Sequence, residues 1–280
     1  FNEVSEIFEK LSYDPVDAEL LEDADAYEEE EEEEIEDPIP SVEDYFRERR
    51  IAILPEEESE DFVEEGIFLT VAKVMAKKYD TIKLWLDMIK RNQVKRAFVR
   101  MNLRKCSQTQ VADITQICNM TYECGLIPSF NYQKAPRFQL DLTLPNLPAA
   151  INFFTGGWFE LYLYSTVQSV ADSLGIQVNI KRNVKILLHN GNEAELDMVG
   201  YGPQGLFWVE AKTGLDFNHL LVKYQKLRKM FGISKDRALL LCSEFGESDP
   251  ARARASLAGM TPVGIDELES RIMEILCNPT

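Results

Sequence analysis

With 280 residues, 45% of them hydrophobic, and no apolar run near the roughly 18 residues of a membrane span, the chain is expected to be a cytoplasmic protein of roughly one to three domains, without membrane partners. A net charge of −18 argues against polyanion binding only if it is evenly spread; residues 1–66 hold 28 of the acidic and 4 of the basic residues, leaving a basic body of 20 acidic and 26 basic residues that permits nucleic-acid binding. The five cysteines, Cys106, Cys118, Cys124, Cys242 and Cys277, lack CxxC spacing and the only histidines are His189 and His219, which excludes a disulfide framework, a zinc site and histidine-rich metal chemistry as expectations.

Residues 1–62 read as a largely disordered acidic arm. A short helix is expected over 4–11 and another over 42–50, separated by seven consecutive glutamates at 28–34 that cannot collapse. Such a run serves either as a solvated linker or as a nucleic-acid mimic lying in a basic groove. From residue 63 the texture changes. Phe68, Val71, Val74 and Met75 fall at helical spacing, as do Ile82, Trp85, Leu86 and Ile89. A strand is expected over 97–101, and Ser107 is placed to cap a third helix with Val111, Ile114, Cys118 and Tyr122 on its apolar side. Two extended runs, 125–133 and 137–142, complete a small winged-helix-like domain over 63–148. Arg104, Lys105, Gln108, Gln110, Lys134 and Arg137 would meet nucleic acid there, and the same six side chains equally suit the ordinary surface of a spacer or dimerisation domain.

Pro145 and Pro148 mark the passage into a third region, 149–280. Thr155 is read as the N-cap of a helix opening near Trp158, which places Glu160 in its first turn, where the helix dipole favours a carboxylate. Extended segments at 176–180 and 184–188 lead to the stretch 195–212, in which two short apolar runs flank a loop rich in glycine and proline (Gly200, Gly202, Pro203, Gly205), the pattern of a β-hairpin with a longer loop. A helix over 217–231 closed by Gly232, an apolar strand over 238–242, a short strand near Pro262 and a closing helix follow. The 217–231 helix turns Lys223, Lys226, Arg228 and Lys229 outward, suited to a nucleic-acid backbone or simply to water, and Gln225 and His219 are within reach of the hairpin.

Alternation along the hairpin puts Glu195 and Asp197 on one face of its first strand and Glu210 and Lys212 on one face of its second. Carboxylates held together repel unless a divalent cation lies between them, and hard oxygen ligands suit Mg2+ or Mn2+. Asp197 and Glu210, with the Ala211 carbonyl as a third ligand, would hold such an ion, and Lys212 would orient the attacking water or neutralise charge on a phosphoryl oxygen. A hairpin with charged outer positions and no chemistry produces the same letters.

The order helix, strand, hairpin, helix, strand resembles the core of the PD-(D/E)XK nucleases, with Leu196-Asp197 standing at the proline–aspartate position. Four stretches in order, Gly156-Gly157-Trp158-Phe159-Glu160, Glu195-Leu196-Asp197, Val209-Glu210-Ala211-Lys212-Thr213-Gly214 and Leu227-Arg228-Lys229-Met230-Phe231-Gly232, are similar to the nuclease domains of CRISPR ancillary endonucleases activated by cyclic oligoadenylate and their bacterial relatives. The resemblance covers about residues 150–280. It implies an α/β chain with a restriction-endonuclease-like core (a mixed sheet flanked by helices), and a Mg2+- or Mn2+-dependent endonuclease of DNA and/or RNA acting in anti-phage or CRISPR-linked defence. Asp197, Glu210 and Lys212 fall in the family's catalytic positions, with Glu160 and Glu195, and Gln225 beside them, in support. It also implies a homodimer. The family's usual cyclic-nucleotide sensor has no counterpart in the pattern before residue 150. The competing expectation is a binding or assembly protein that keeps the fold without turnover.

Overall fold

The computed structural model describes residues 41–55, 65–93, 95, 97–188 and 190–278. The helix expected over 4–11 and the glutamate run lie outside them. Residues 41–55, expected as part of the acidic arm, are folded. Ser41 caps helix α1 (Val42–Glu48) by accepting from the Asp44 N–H at 3.1 Å, while Asp44 accepts from the Ser41 N–H, a reciprocal capping box. Val42 and Phe46, one helical turn apart, are fully buried, and strand β1 (Ala52–Ile53) joins the main sheet. The helix expected over 42–50 is thus present as α1, and what departs from expectation is that its apolar pair joins the main core.

Helices α2 (Glu65–Lys77) and α3 (Tyr79–Asn92) bury the apolar stripes expected of them, including Val71, Met75, Ile82, Trp85, Leu86 and Ile89. After strand β2 (Phe98–Asn102), α4 (Gln108–Glu123) opens on Ser107, whose hydroxyl accepts from the Gln110 N–H at 3.1 Å. Thr121 takes the inward position on α4 and Tyr122, expected inside, is about half exposed beside Phe130. Strands β3 (Ser129–Gln133) and β4 (Gln139–Thr143) follow, and the three strands form an antiparallel sheet in the order β2-β4-β3.

The next helix departs from expectation at its start. It begins at Pro148, which fits the first helical position because its missing N–H is not needed there, and runs through α5 (Pro148–Asn152) and one π turn (Phe153–Gly157) into α6 (Trp158–Leu174). Thr155 is therefore no cap; its hydroxyl donates to the Ile151 carbonyl at 2.7 Å. Glu160 lies well inside a continuous helical path, so the dipole argument for its charge does not hold, and a different cause must be found for its position.

Gly175 ends α6 in the left-handed conformation that glycine adopts without a Cβ penalty. The chain then builds β5 (Asn179–Leu187), β6 (Glu193–Gly202) and β7 (Gly205–Lys212) as antiparallel neighbours. Only Pro203 and Gln204 separate β6 from β7, a tighter connection than the glycines suggest. Gly200 is instead inside β6, opposite Phe207, because a Cβ there would overlap the Phe207 ring. The buried Arg237 ties the hairpin end down by donating to the Gly205 and Leu206 carbonyls at 2.8 Å each. We expect Gly200→Ala to lower unfolding free energy by about 1–3 kcal/mol through overpacking, measured by denaturant melts.

Helix α7 (Leu221–Phe231), strand β8 (Ala238–Cys242), helix α8 (Pro250–Leu257), strand β9 (Thr261–Val263) and helix α9 (Leu268–Cys277) complete the fold. The main sheet has six strands in the order β1-β5-β6-β7-β8-β9, antiparallel as far as β7 and parallel from β7 to β9. Alternate residues feed two cores. Phe207, Val209, Ala211, Leu239 and Leu241 pack with α6, α9 and the helices around the small sheet, while Leu206, Trp208, Leu240 and Cys242 pack with α1, α7 and α8. All five residues of β8 are buried, as a parallel strand covered on both faces requires. The result is a mixed α/β fold whose six-stranded mixed sheet is flanked by helices. Among the described residues no helix is long and apolar enough to cross a membrane.

Candidate active site

The site is made by a fork in the sheet. β6 and β7 pair from Gly202↔Gly205 only as far as Met198↔Val209, while β7 continues to Lys212 with β8 as its remaining partner. On the other edge of β6 the ladder with β5 skips Asp197, opposite Asn183, which adopts a positive φ of 52°. Here the strands switch faces. Leu196 belongs to the core beneath α7 and Met198 to the core beneath α6. Asp197 thus stands where β6 turns away, and its carboxylate replaces the missing ladder acceptor, taking the Ala211 N–H at 2.8 Å. A backbone donor that would otherwise lack a partner fixes the aspartate.

Across the fork, Glu210 and Lys212 share a face of β7. The Lys212 Nζ donates to Asp197 Oδ2 at 2.8 Å and to Glu210 Oε2 at 3.2 Å, bridging the two carboxylates. Glu210 is 2% exposed, and its other oxygen accepts from Trp208 Nε1 at 3.1 Å. Burial, and then the Asp197 charge, raise the Glu210 carboxyl above the usual carboxylate range. Burial alone would lower the Lys212 ammonium, but Glu210 and Asp197 more than reverse this and keep it charged. Tyr224, on α7, is raised well above an ordinary phenol by burial and by Glu210; its buried hydroxyl lies beside that carboxylate without a well-formed hydrogen bond.

From the opposite face α6 brings Glu160. Burial first, and then repulsion from Asp197, push its carboxyl up to about 7, with smaller contributions from Glu195 and Glu210 in the same direction. So Glu160 belongs to the cluster through packing of α6 against the sheet. Glu195 is exposed on β6 opposite Lys185. Asp197, Glu210 and Glu160 therefore act on one another around the Lys212 ammonium, with Glu195 at the edge of the cluster in register with Lys185.

Ala211 enters the site through its N–H. Gln225 is half-buried next to Tyr224, and no hydrogen bond among the described residues ties it to the carboxylates. Lys223, Lys226 and Lys229 are exposed along α7, whereas Arg228 is half-buried and donates to the Ile233 carbonyl at 2.9 Å, so it belongs to the fold more than to the basic stripe. Arg104 and Lys105 are exposed before α4, far along the chain from the fork, with Arg104 donating to the Pro136 carbonyl at 2.9 Å. His219 lies in the short 3-10 turn before α7. Trp208 and Tyr224 join the site without being among the residues that the sequence pattern singles out. Trp208 is findable, because residues two apart on a strand share a face, and an indole two positions before a buried glutamate is a natural donor to it.

The donor set suits a hard divalent cation. Among the described residues no three His, Cys, Asp or Glu side chains form a ready cage. Mg2+, however, is commonly held by one or two carboxylates with water and substrate oxygens completing its shell, and two carboxylates with surplus negative charge are what the fork presents.

No protein-family model matches the chain, and no curated protein is similar to it. Solved structures are. Protein VC1899 from Vibrio cholerae superposes with a TM-score of 0.57 at 18% identity, over 85% of this chain and 61% of that one. Can2 from Sulfobacillus thermosulfidooxidans, solved in complex with cyclic tetra-adenylate, superposes with a TM-score of 0.57 at 16% identity, over 85% of this chain and 59% of that one. The chain spans about three fifths of the length of these two structures. At such low identity the likeness is one of fold, and the chain shares that fold over most of its length.

Proposed function

We propose that the chain is a metal-dependent endonuclease of the PD-(D/E)XK kind, hydrolysing phosphodiester bonds in DNA or RNA in a defence setting. The fork carries this proposal: Asp197 and Glu210 lie on either side of Lys212 at 2.8 and 3.2 Å, three groups from two strands meeting where the ladder opens. The likeness to Can2, a protein solved with a cyclic oligoadenylate, supports the defence setting.

Asp197 and Glu210, with the Ala211 carbonyl, would hold Mg2+ or Mn2+, and Glu195 would hold its waters. When bound, such an ion supplies an acidified water and charge neutralisation at phosphorus. Lys212, kept charged by its two carboxylates, neutralises a phosphoryl oxygen as negative charge builds there. Glu160, with a carboxyl near 7, can take a proton from the attacking water or return one to the leaving oxygen near neutral pH. Lys223, Lys226 and Lys229 would meet the substrate backbone from α7. The order α2, α3, β2, α4, β3, β4 with a β2-β4-β3 sheet supports reading the small unit as a winged helix, with Arg104 and Lys105 as its nucleic-acid contacts. A homodimer would place two such sites on one substrate.

One observation favours the second reading, a binding protein without turnover: Lys212 already satisfies both carboxylates, as a purely structural ion-pair cluster would. Incubation with supercoiled plasmid, single-stranded DNA and RNA in Mg2+, Mn2+ or EDTA separates the two. We expect cleavage with metal and none in EDTA; salt-dependent binding with no cleavage under any condition would favour the second.

A further inference from the structure

Glu210 is held by a different group at each of its two oxygens. Oε2 accepts from the partly exposed Lys212 Nζ at 3.2 Å, and Oε1 accepts from the buried Trp208 Nε1 at 3.1 Å. The indole is fully buried, and its ring meets Tyr224 and Phe231 of α7 edge to face, with centroids 5.6 and 5.4 Å away. It cannot turn away without unpacking both rings, so the core itself fixes the direction of this donor.

Tyr224 brings a second polar group to the same place. It is 2% exposed, and its hydroxyl, beside the Glu210 carboxylate, has no hydrogen-bond partner among the described residues. An ionised carboxylate offers about four lone-pair sites, and Trp208 and Lys212 fill two of them. A buried hydroxyl without a partner is costly to keep, and next to a buried carboxylate with lone pairs to spare it is a donor in reserve. Asp197 is anchored in a similar manner, its Oδ2 taking both the Ala211 N–H and the Lys212 ammonium at 2.8 Å.

Fixing one oxygen bears on which cation the fork can take. Ca2+ gathers about six to eight oxygens in a flexible shell and accepts a carboxylate by both of its oxygens, whereas Mg2+ demands a near-octahedral shell that keeps several waters. A carboxylate with one oxygen engaged by an immovable indole N–H has a single oxygen to give. We propose that Trp208 and Tyr224 are positioning residues that hold Glu210 from the core side, leave Oε2 alone for a cation, and so select Mg2+ or Mn2+ over Ca2+. This rests on the metal-dependent reading of the fork. Hydrogen-bond donors behind a metal ligand govern affinity by about 10–100-fold, and at this carboxylate they govern preference as well.

The test uses the full chain without nucleic acid, titrated with Mn2+ by electron paramagnetic resonance and then with Ca2+ as competitor, beside circular dichroism melts that establish folding. Trp208→Phe keeps an aromatic ring between Tyr224 and Phe231 and removes the N–H donor, with some loss of ring volume; Tyr224→Phe removes the hydroxyl alone. Mn2+ binding is expected to weaken at least about tenfold in Trp208→Phe and about threefold in Tyr224→Phe, while Ca2+ binding is held or strengthened, so that the preference for Mn2+ falls in both. A merely structural role would weaken both ions alike. Equal losses for the two ions, or an unchanged preference in either folded variant, overturn the proposal, however well the parent chain cuts in Mn2+. No cation bound by the parent chain overturns it together with the metal reading of the fork. The shifted preference, in a chain that cuts neither DNA nor RNA, would uphold the proposal and count against the endonuclease.

Discussion

Replacing Asp197 by asparagine is expected to lower the cleavage rate by at least about 10³-fold while leaving the fold intact, and Lys212→Ala to lower it by a similar factor. The two losses have different origins. The asparagine side chain would keep an oxygen that accepts the Ala211 N–H, now made at 2.8 Å, so the fork should hold its shape while losing one of the two charges that face Lys212. Alanine is the poorer probe at this position, because it strands that N–H and costs about 1–3 kcal/mol of stability as well. At Lys212 the ammonium goes, and Glu210, 2% exposed, is left facing Asp197 uncompensated. Part of that strain will be relieved by Glu210 taking up a proton, so a modest fall in melting temperature is expected beside the catalytic loss. Circular dichroism melts separate the two effects. A folded Asp197→Asn or Lys212→Ala chain that cuts at the parent rate in Mn2+ would remove these residues from the chemistry.

Glu160→Gln is expected to stabilise the chain at pH 8 and to leave it unchanged near pH 4, in EDTA. The sign follows from its carboxyl, raised from the usual 4.5 to about 7 by burial and by Asp197. Between these values the folded chain keeps a proton that the unfolded chain has lost, so stability is fully present below about 4.5 and is lost as pH rises through about 7. The whole interval corresponds to about 3 kcal/mol at most, and glutamine, which never ionises, escapes the loss. Thermal melts of both chains from pH 4 to 8 give the difference directly. Parallel curves would show that Glu160 does not share the negative environment of the fork. The same substitution should slow cutting near neutral pH, so the residue would trade stability for activity.

The parts of the fold written in short-range patterns are legible in the sequence. Period-two alternation with Gly202 to Gly205 between the runs gives the hairpin, and helical spacing gives Ile82, Trp85, Leu86 and Ile89 as core. The same alternation sets Glu210 and Lys212 on one face of β7, whereas Asp197 meets them at the point where β6 breaks its own alternation. What is not legible depends on averages or on distance. The helix over 42–50 is legible and appears as α1, but the charged segment around it gives no sign that Val42 and Phe46 are buried in the main core. Pro148 and the π turn extend a helix upstream of the glycines that mark its beginning in the sequence pattern. The Asp197 to Ala211 hydrogen bond exists because β6 leaves β7 at Met198, a tertiary event that no residue at the hairpin announces. A helix dipole points to Glu160 in the sequence, yet the residue reaches the site through the packing of α6 against the sheet.

On this account the fork holds more negative charge than Lys212 can balance, and so takes up a divalent cation. Electron paramagnetic resonance titration of the chain with Mn2+ at pH 7.5, beside Asp197→Asn and Glu210→Gln, measures this without any nucleic acid. One Mn2+ bound per chain, lost or weakened at least about tenfold in both variants, is the expected result. No bound Mn2+, or binding indifferent to both substitutions, would contradict it.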